Sequence, residues 1–544
     1  MMLQAMLLVT GAISAPSGFG TLTRISLPDD QKLDSAFRVA WETEAPSSLA
    51  LIVEAREQGE EASVSTARRA SRGPARELWL YVRNAQAPPF DNEPDYRVRL
   101  TSEVVAFGIG DLHPDDGDEI ALMTARGVFL YRPRVEDERK RLSLLLRSQV
   151  LWQWPEQRVI DWSRAIRDID GDGLEDLLLP TGIGYTVATQ QRDGDVVSLQ
   201  TQTLALPVLT GTLAAAVAVG RAEGDDPDAA RRRRSRSGGG GRNEAPADEE
   251  GGSIAIGGDG GAPFSGLFSV TEEVPVPVLS DWDADGDLDL CVQTDKDLIV
   301  WLQQGGMFQR VPSLALPLPF IGDDDLLESD VSYSSHAGDL DQDGRLDSIV
   351  LVSDKDSDDA RTQILIYRQQ GRPNLYGEKG LPSGVLVLAG IGGFPRLVDV
   401  DTDGDLDLLV TSFRPDLLDA LRSASTRRIE FELLVFRNDN GAFARKPWLS
   451  EELAVPIGGD NFRARFFGDI SGDGKSELIV RDNKDHLQVR LVREKSGRLQ
   501  VESRPLFELS IDEDAWLLIP DATAGVTGEF YVVEKDCITH VSFP

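Results

Sequence analysis

The sequence predicts an all-β repeat protein, and two observations carry that prediction. A nine-residue acidic loop recurs along the 544-residue chain, and every copy runs directly into an apolar stretch of strand character. The loops are DIDGDGLED (168–176), DWDADGDLD (281–289), DLDQDGRLD (339–347) and DVDTDGDLD (399–407), with DISGDGKSE (469–477) a near copy. The first four all read D-x-D-x-D-G-x-x-D. The three residues that follow are LLL, LCV, SIV, LLV and LIV, which reads as a buried strand leaving the loop.

The loop pattern suits a hard cation. Carboxylates at positions one, three and five of a tight turn share its concave side, and a glycine at six permits a left-handed backbone. The residue at seven can offer its main-chain carbonyl, and the acid at nine closes the cage. The expected ligands are therefore Asp168, Asp170, Asp172, Leu174 and Asp176 in the first loop, and Asp281, Asp283, Asp285, Asp287 and Asp289 in the second. The third supplies Asp339, Asp341, Asp343, Arg345 and Asp347, and the fourth Asp399, Asp401, Asp403, Asp405 and Asp407. The near copy supplies Asp469, Ser471, Asp473, Lys475 and Glu477. All-oxygen ligation with six to eight donors favours Ca²⁺, at about four or five ions for the whole chain. An isolated acidic turn would be the bland alternative, but fixed glycine placement in repeated copies argues against it. An EF-hand shares the opening D-x-D-x-D-G yet needs a Glu at position twelve between helices. Here position twelve is Leu179, Val292, Val350, Val410 and Val480.

Apolar strand, acidic loop and apolar strand together resemble the FG-GAP/VCBS repeat, as in the β-propeller of integrin α-chains. A second signature supports the resemblance: a strand ending in an apolar or aromatic residue, then Arg, Gln or Asn and a glycine. It stands in IVWLQQGGMF (299–308), ILIYRQQG (364–371), LLVFRNDNGAF (433–443) and VRLVREKSG (489–497). The resemblance implies four-stranded blades arranged as a β-propeller, with calcium held in the loop between two strands.

Spacing sets the blade count. The loops start at 168, 281, 339, 399 and 469, so the intervals are 113, 58, 60 and 70 residues and the first should hide one more unit. Residues 216–228, with Arg221 at the first-ligand position, read as its decayed remnant. Asp111 to Glu119 and Asp521 to Glu529 are further degenerate copies, and 50–55 with 77–84 form a weak N-terminal phase. Nine phases exceed the usual four to eight blades, so eight are expected, within a range of seven to nine, the N-terminal phase being the least secure. Residues 21–27 (TLTRISL) should complete the last blade and close the ring.

One propeller domain is thus expected over 21–544, preceded by a candidate signal peptide at 1–20. MLLVTGAISA (6–15) resembles a leader's apolar stretch, yet no Lys or Arg precedes Arg24, so an ordinary first strand is the competing reading. Residues 223–252, with RRRRSRSGGGGR, read as a disordered insertion, and PDLLDALRSASTRR (415–428) as a short inserted helix.

Composition narrows the function. A net charge of −35 argues against nucleic-acid binding, and no apolar run reaches the ~20 residues of a membrane helix. Two cysteines, Cys291 and Cys537, cannot build a disulfide scaffold or a Cys-based zinc site. No G-x-S-x-G, P-loop or H-E-x-x-H motif occurs, and there are four histidines: His113, His336, His486 and His540. The expectation is a non-enzymatic, exported, calcium-stabilised module that binds a protein or a glycan. A calcium-containing propeller lyase acting on polysaccharide and an intracellular or periplasmic interaction scaffold are the alternatives. WD-type and quinoprotein propellers lack such Asp loops.

Overall fold

The computed structural model describes residues 21–42, 48–56, 75–84, 88–206, 253–256, 270–317 and 331–543. Breaks fall at 115–116, 125, 148–158, 182, 194–195, 274–276, 284, 295–296, 344–346, 355–360, 370–380, 394, 414–427, 457–463, 484–485, 513 and 520–527. Eight sheets built on four strands each follow one another, the arrangement of an eight-bladed β-propeller; Ile160–Asp161 adds a fifth strand to blade 2 and Ile391–Gly392 to blade 6. The chain divides into two units. One comprises Met1–Ser102, Ser280–Asp285 and Leu318–Pro544, the other Glu103–Leu279 and Gly286–Pro317.

In the first unit, blade 1 is built from Gln31–Val39, Ser48–Ala55, Arg76–Tyr81 and Tyr96–Leu100. Blade 5 runs Val331–Gly338, Asp347–Asp354, Arg361–Tyr367 and Gly384–Ala389. Blade 6 uses Arg396–Val398, Asp407–Phe413, Arg428–Phe436 and Leu449–Pro456. Blade 7 uses Ala464–Phe466, Leu478–Asn483, His486–Arg490 and Phe507–Ser510. Blade 8 has three strands of its own, Trp516–Leu518, Glu529–Glu534 and Cys537–Ser542, and takes its fourth from Thr21–Ser26. That strand pairs antiparallel with Cys537–Ser542 from Thr21↔Ser542 to Ser26↔Cys537, as expected. In the second unit, blade 2 is formed by Val104–Gly110, Glu119–Thr124, Gly127–Tyr131 and Leu142–Leu146. Blade 3 is formed by Ile166–Arg167, Asp176–Thr181, Gly184–Asp193 and Val196–Ala205. The sheet of blade 4 joins Val278–Ser280, Asp289–Gln293, Asp297–Trp301 and Leu314–Pro317.

Position in the blade explains the residue pattern. Second strands are covered on both faces and read as continuous apolar runs, every residue of Asp176–Thr181 being buried. Outer strands alternate, as in Gly384–Ala389, because one face meets water. The cores lie between consecutive blades. Tyr185 of blade 3 packs with Leu290 and Trp301 of blade 4, and Leu433 and Val435 of blade 6 with Leu478 and Val480 of blade 7. Ile25, Tyr531 and Ile538 of blade 8 pack with Leu49 and Trp79 of blade 1.

The blade count agrees with expectation, and the N-terminal phase, expected to be the least secure, is one of the eight. The weak N-terminal phase is a complete blade, because Leu49, Leu51, Leu78 and Leu80 are all fully buried in it. Between Ala205 and Val278 the described residues hold instead a two-stranded ribbon, Ser253–Ile256 with Val270–Glu273. The segments 1–20, 216–228 and 223–252 lie outside the described residues, as does 415–427 of the expected helix. Its last residue, Arg428, opens a strand. Among the described residues the only helical turns are the 3₁₀ segments Glu138–Lys140 and Ser163–Ala165.

Closure of blade 8 by Thr21–Ser26 should be measurable. Ile25 is 3% exposed, and Ile25→Ala should cost about 2–5 kcal/mol in chemical denaturation. Ser26→Ala, on the exposed side of the strand, should stay within about 0.5 kcal/mol of the parent.

Candidate metal centres

Each acidic loop enters a second strand, and the acid at position nine sits at that entry. Asp176, Asp289, Asp347, Asp407 and Glu477 are all buried. Their carboxylates accept backbone hydrogen bonds from the loop itself: from Ile169 N–H at 2.9 Å, Leu340 at 3.0 Å, Val400 at 3.2 Å and Ile470 at 2.6 Å. The other oxygen of four of them accepts from the end of the third strand. Gln190 donates to Asp176 at 2.6 Å, and Gln303, Gln369 and Asn438 donate to Asp289, Asp347 and Asp407 at 2.8 Å each. Position nine therefore fastens the loop to its own blade.

The same Gln and Asn residues tie blade to blade. The Gln303 side-chain amide donates to Leu288 O at 2.7 Å in its own loop and to Ile169 O at 2.8 Å in the preceding blade's loop. Asn438 does the same with Leu406 O at 3.0 Å and Leu340 O at 2.8 Å, and Gln190 with Glu175 O at 2.9 Å and Asp111 O at 3.1 Å. In blade 7, Ser476 reaches back directly, its N–H to Val400 O at 2.8 Å and its Oγ to Asp399 O at 3.0 Å. The polar residue after the third strand was visible in the second sequence signature, but its partners come from another repeat.

The carboxylates of each loop cluster, the position-nine acid among them in three of the five. One oxygen from each of Asp168, Asp170 and Asp176 lies within 4.8 Å of the others. The same holds for Asp281, Asp283 and Asp285, for Asp339, Asp341 and Asp347, for Asp399, Asp401 and Asp403, and for Asp469, Asp473 and Glu477. Several such oxygens could hold a metal ion in every loop. Of the expected ligands outside these triads, Asp172 accepts from Leu174 N–H at 2.8 Å, and Asp405 Oδ2 accepts from Asn440 N–H at 3.2 Å. Asp287 Oδ2 accepts from Gly305 N–H at 3.3 Å, and Ser471 donates to Asp469 at 3.4 Å. Asp343 N–H donates to Asp339, while Arg345 lies outside the described residues.

Loop shape follows from backbone handedness. Gly173, Gly286, Gly404 and Gly474 at position six have φ between 79° and 96°, as expected. Position four is also left-handed, and there Gln342 (φ 55°) and Thr402 (φ 57°) replace the glycines of the first and last loops.

The donor set fits a cation on this structure's own evidence. Asp341 Oδ1 and Glu477 Oε1 are buried and accept no hydrogen bond, which is costly for a carboxylate oxygen. Burial pushes Asp176 up to about 6 and Asp347, Asp407 and Glu477 up to about 7, against backbone N–H groups that pull them down.

Degenerate loops use the chain's own cations. In the loop from Asp111, Arg192 Nη2 lies 2.7 Å from Asp111 Oδ1 and donates to the carbonyls of Asp111 at 3.3 Å and His113 at 3.4 Å. In blade 8 the position-nine acid is Glu529, held by Arg83 Nη1 at 2.7 Å and by His540 Nε2 at 3.0 Å. Its hydrogen bonds outweigh burial and hold the carboxyl down at about 2.

Residues 281–350, which include two of these loops, match the FG-GAP-like repeat family. The chain carries an FG-GAP-like repeat at 281–350. No curated protein matches it. Among solved structures, Sqt1 from Chaetomium thermophilum is 11% identical with a TM-score of 0.38, covering 96% of this chain and 100% of its own. An Agrocybe aegerita lectin that recognises non-reducing terminal N-acetylglucosamine is 13% identical, with a TM-score of 0.32 and coverage of 79% and 90%. The V. cholerae biofilm matrix protein Bap1 is 10% identical, with a TM-score of 0.26 and coverage of 97% and 88%.

The blade-to-blade amide bridge gives a direct test. Asn438→Leu leaves Leu340 O and Leu406 O without their side-chain donor, and it should cost about 1–3 kcal/mol by thermal or chemical denaturation. Ala442→Ser, four residues on and exposed, should cost far less.

Proposed function

We propose that this β-propeller is a calcium-stabilised, exported module that binds a protein or glycan ligand and catalyses no reaction. The carrying observation is the set of five carboxylate triads at loops that join second strands to their neighbours. Asp168, Asp170 and Asp176 would hold one ion, and Asp281, Asp283 and Asp285, Asp339, Asp341 and Asp347, and Asp469, Asp473 and Glu477 the others. Bound calcium supplies positive charge to these acids. The chain's own part is to hold each loop open at its left-handed residues and to tie it to two blades. Such sites at the weak end of calcium affinity, ~10⁻⁴–10⁻³ M, fill outside cells, which supports export. Loops presented by a rigid sheet scaffold are the usual place for ligand contacts, which supports binding. The best-placed carboxylates are engaged in loop structure, and Glu529 and His540 are buried against one another, 3.0 Å apart. Both facts speak for binding over turnover.

Calcium should raise the melting temperature steeply. At a hundredfold excess over Kd each site adds about 2.7 kcal/mol, whereas magnesium should substitute poorly. Asp170→Asn and Asp283→Asn should each reduce the calorimetric stoichiometry by about one ion. Absence of binding at millimolar calcium would sink the metal assignment.

The chelated protein should respond to pH with a definite sign. Asp176, Asp347, Asp407 and Glu477 have raised folded values, so the native state binds more protons than the unfolded chain between about pH 4 and 7. Their contribution is present below about pH 4 and is lost as pH rises through 6–7. Glu529, with its depressed value, contributes above about pH 4 and loses that contribution towards pH 2. Denaturation of the chelated protein should therefore show maximal stability near pH 4–5, and calcium should restore stability at pH 7.

Glycan and polysaccharide arrays separate the functional classes. Saturable binding without turnover supports a glycan-binding module. New unsaturated chain ends would instead establish a lyase, and binding to neither would point to a protein partner.

A further inference from the structure

The loop at 399–407 has a complete ligand sequence, yet its acids already have counter-charges. Asp401, whose side chain is 3% exposed, has Arg437 Nη2 at 2.9 Å and Lys475 Nζ at 3.7 Å from its Oδ2. Arg437 also reaches Asp403 Oδ2 at 3.0 Å. Burial would raise Asp403, but the Arg437 hydrogen bond outweighs it and holds that carboxyl below the usual range.

Both cations are held in place by one aromatic ring. The Arg437 guanidinium carbon lies 5.1 Å and Lys475 Nζ 5.4 Å from the centre of the Trp448 ring, which is 7% exposed. A cation over an indole face gains from the ring quadrupole. Lys475 belongs to the next loop, so the contact spans blades 6 and 7 alongside the Ser476 bonds to Asp399 and Val400.

The degenerate loop at Asp111 shows the same device independently. There one Arg192 nitrogen meets three loop oxygens, a carboxylate and two carbonyls, and glycine has been lost from position six to Asp116. Sequence at the preceding step is also telling. The residue before the bridging amide is Thr189 in blade 3 and Leu302 in blade 4, but Arg368 and Arg437 in blades 5 and 6. Arg368 touches only Asp341 among the loop acids, at 3.3 Å, and spends the same nitrogen on Asn440 O at 2.8 Å. Arg437, with Lys475 beside it, goes further.

We propose that loop 399–407 is a metal-independent joint, in which Arg437 and Lys475, seated on Trp448, provide the positive charge that the other complete loops take from calcium. A buried carboxylate needs a partner, and here the chain supplies two. A divalent ion entering beside them would meet like charge. The loop's acids then serve to join blades 6 and 7 through a contact that chelation does not touch. The inference rests on the calcium reading of the remaining loops.

The test is calcium stoichiometry of the full chain by equilibrium dialysis, for wild type, Asp170→Asn, Asp401→Asn, Arg437→Lys and the double variant Arg437→Gln/Lys475→Gln. Asp170→Asn should bind one ion fewer than wild type, whereas Asp401→Asn and Arg437→Lys should bind the same number. The double variant should bind one ion more. Loss of one ion on Asp401→Asn, or no gain in the double variant, would overturn the proposal. If Asp401→Asn does not fold, the double variant decides alone. If neither wild type nor Asp170→Asn binds calcium, the calcium reading of the other loops fails separately. A one-ion gain in the double variant would then still support the joint, and no gain would overturn it.

Discussion

The position-nine carboxylate organises this molecule. It is buried at the entry to a second strand, and its two oxygens accept backbone N–H groups from both ends of one blade: the loop before it and the third strand after it. A buried anion is expensive unless its oxygens are met. Meeting them fixes the loop's path, and the path brings the acids at positions one, three and five together. The candidate metal centres are thus a consequence of a hydrogen-bonding requirement within the sheet.

A second requirement operates between blades. Within each unit a sheet covers its neighbour through apolar second and third strands, but sheet-on-sheet packing alone tolerates sliding. The Gln and Asn amides after the third strand bond to carbonyls of two consecutive loops at once. They set the register where hydrophobic contact is least specific. Where the amide is missing, other chemistry takes its place: Ser476 in blade 7, and Arg83 in blade 1, whose N–H donates to Ser48 at 3.3 Å while its guanidinium holds Glu529 of blade 8. That last pairing joins blade 1 to blade 8, whose sheet carries both ends of the described chain.

Charge compensation varies around this common frame. Acid at position nine is retained even in blades whose loops have decayed, as Glu119 and Glu529 show, because its structural work does not need a metal. The acids earlier in the loop bond mainly to the loop's own N–H groups, as Asp168 does with Gly171 at 2.7 Å and Gly173 at 2.9 Å. In five loops they form carboxylate triads, with the position-nine acid as a member in three of them, and in the loop at Asp111 an arginine from the next blade occupies the place. The net charge of −35 is therefore partly a local matter of loops.

Much of this was legible from residue order alone. The loop motif, its glycine and the apolar runs after it are local, so they fix a turn and a strand without reference to the rest of the chain. Repetition then implies a stack of such units, and the spare strand TLTRISL implied the closure that Thr21–Ser26 makes. What residue order could not decide was which phases become blades, since Leu49 to Val53 and Leu78 to Tyr81 earn their place by burial against neighbours and have no motif. Nor could it assign the counter-charges. Arg192 is 81 residues from Asp111, and Lys475 is 74 from Asp401; only the packing of one blade on the next brings such cations to an acid, because electrostatic contact depends on distance in space and not on distance along the chain.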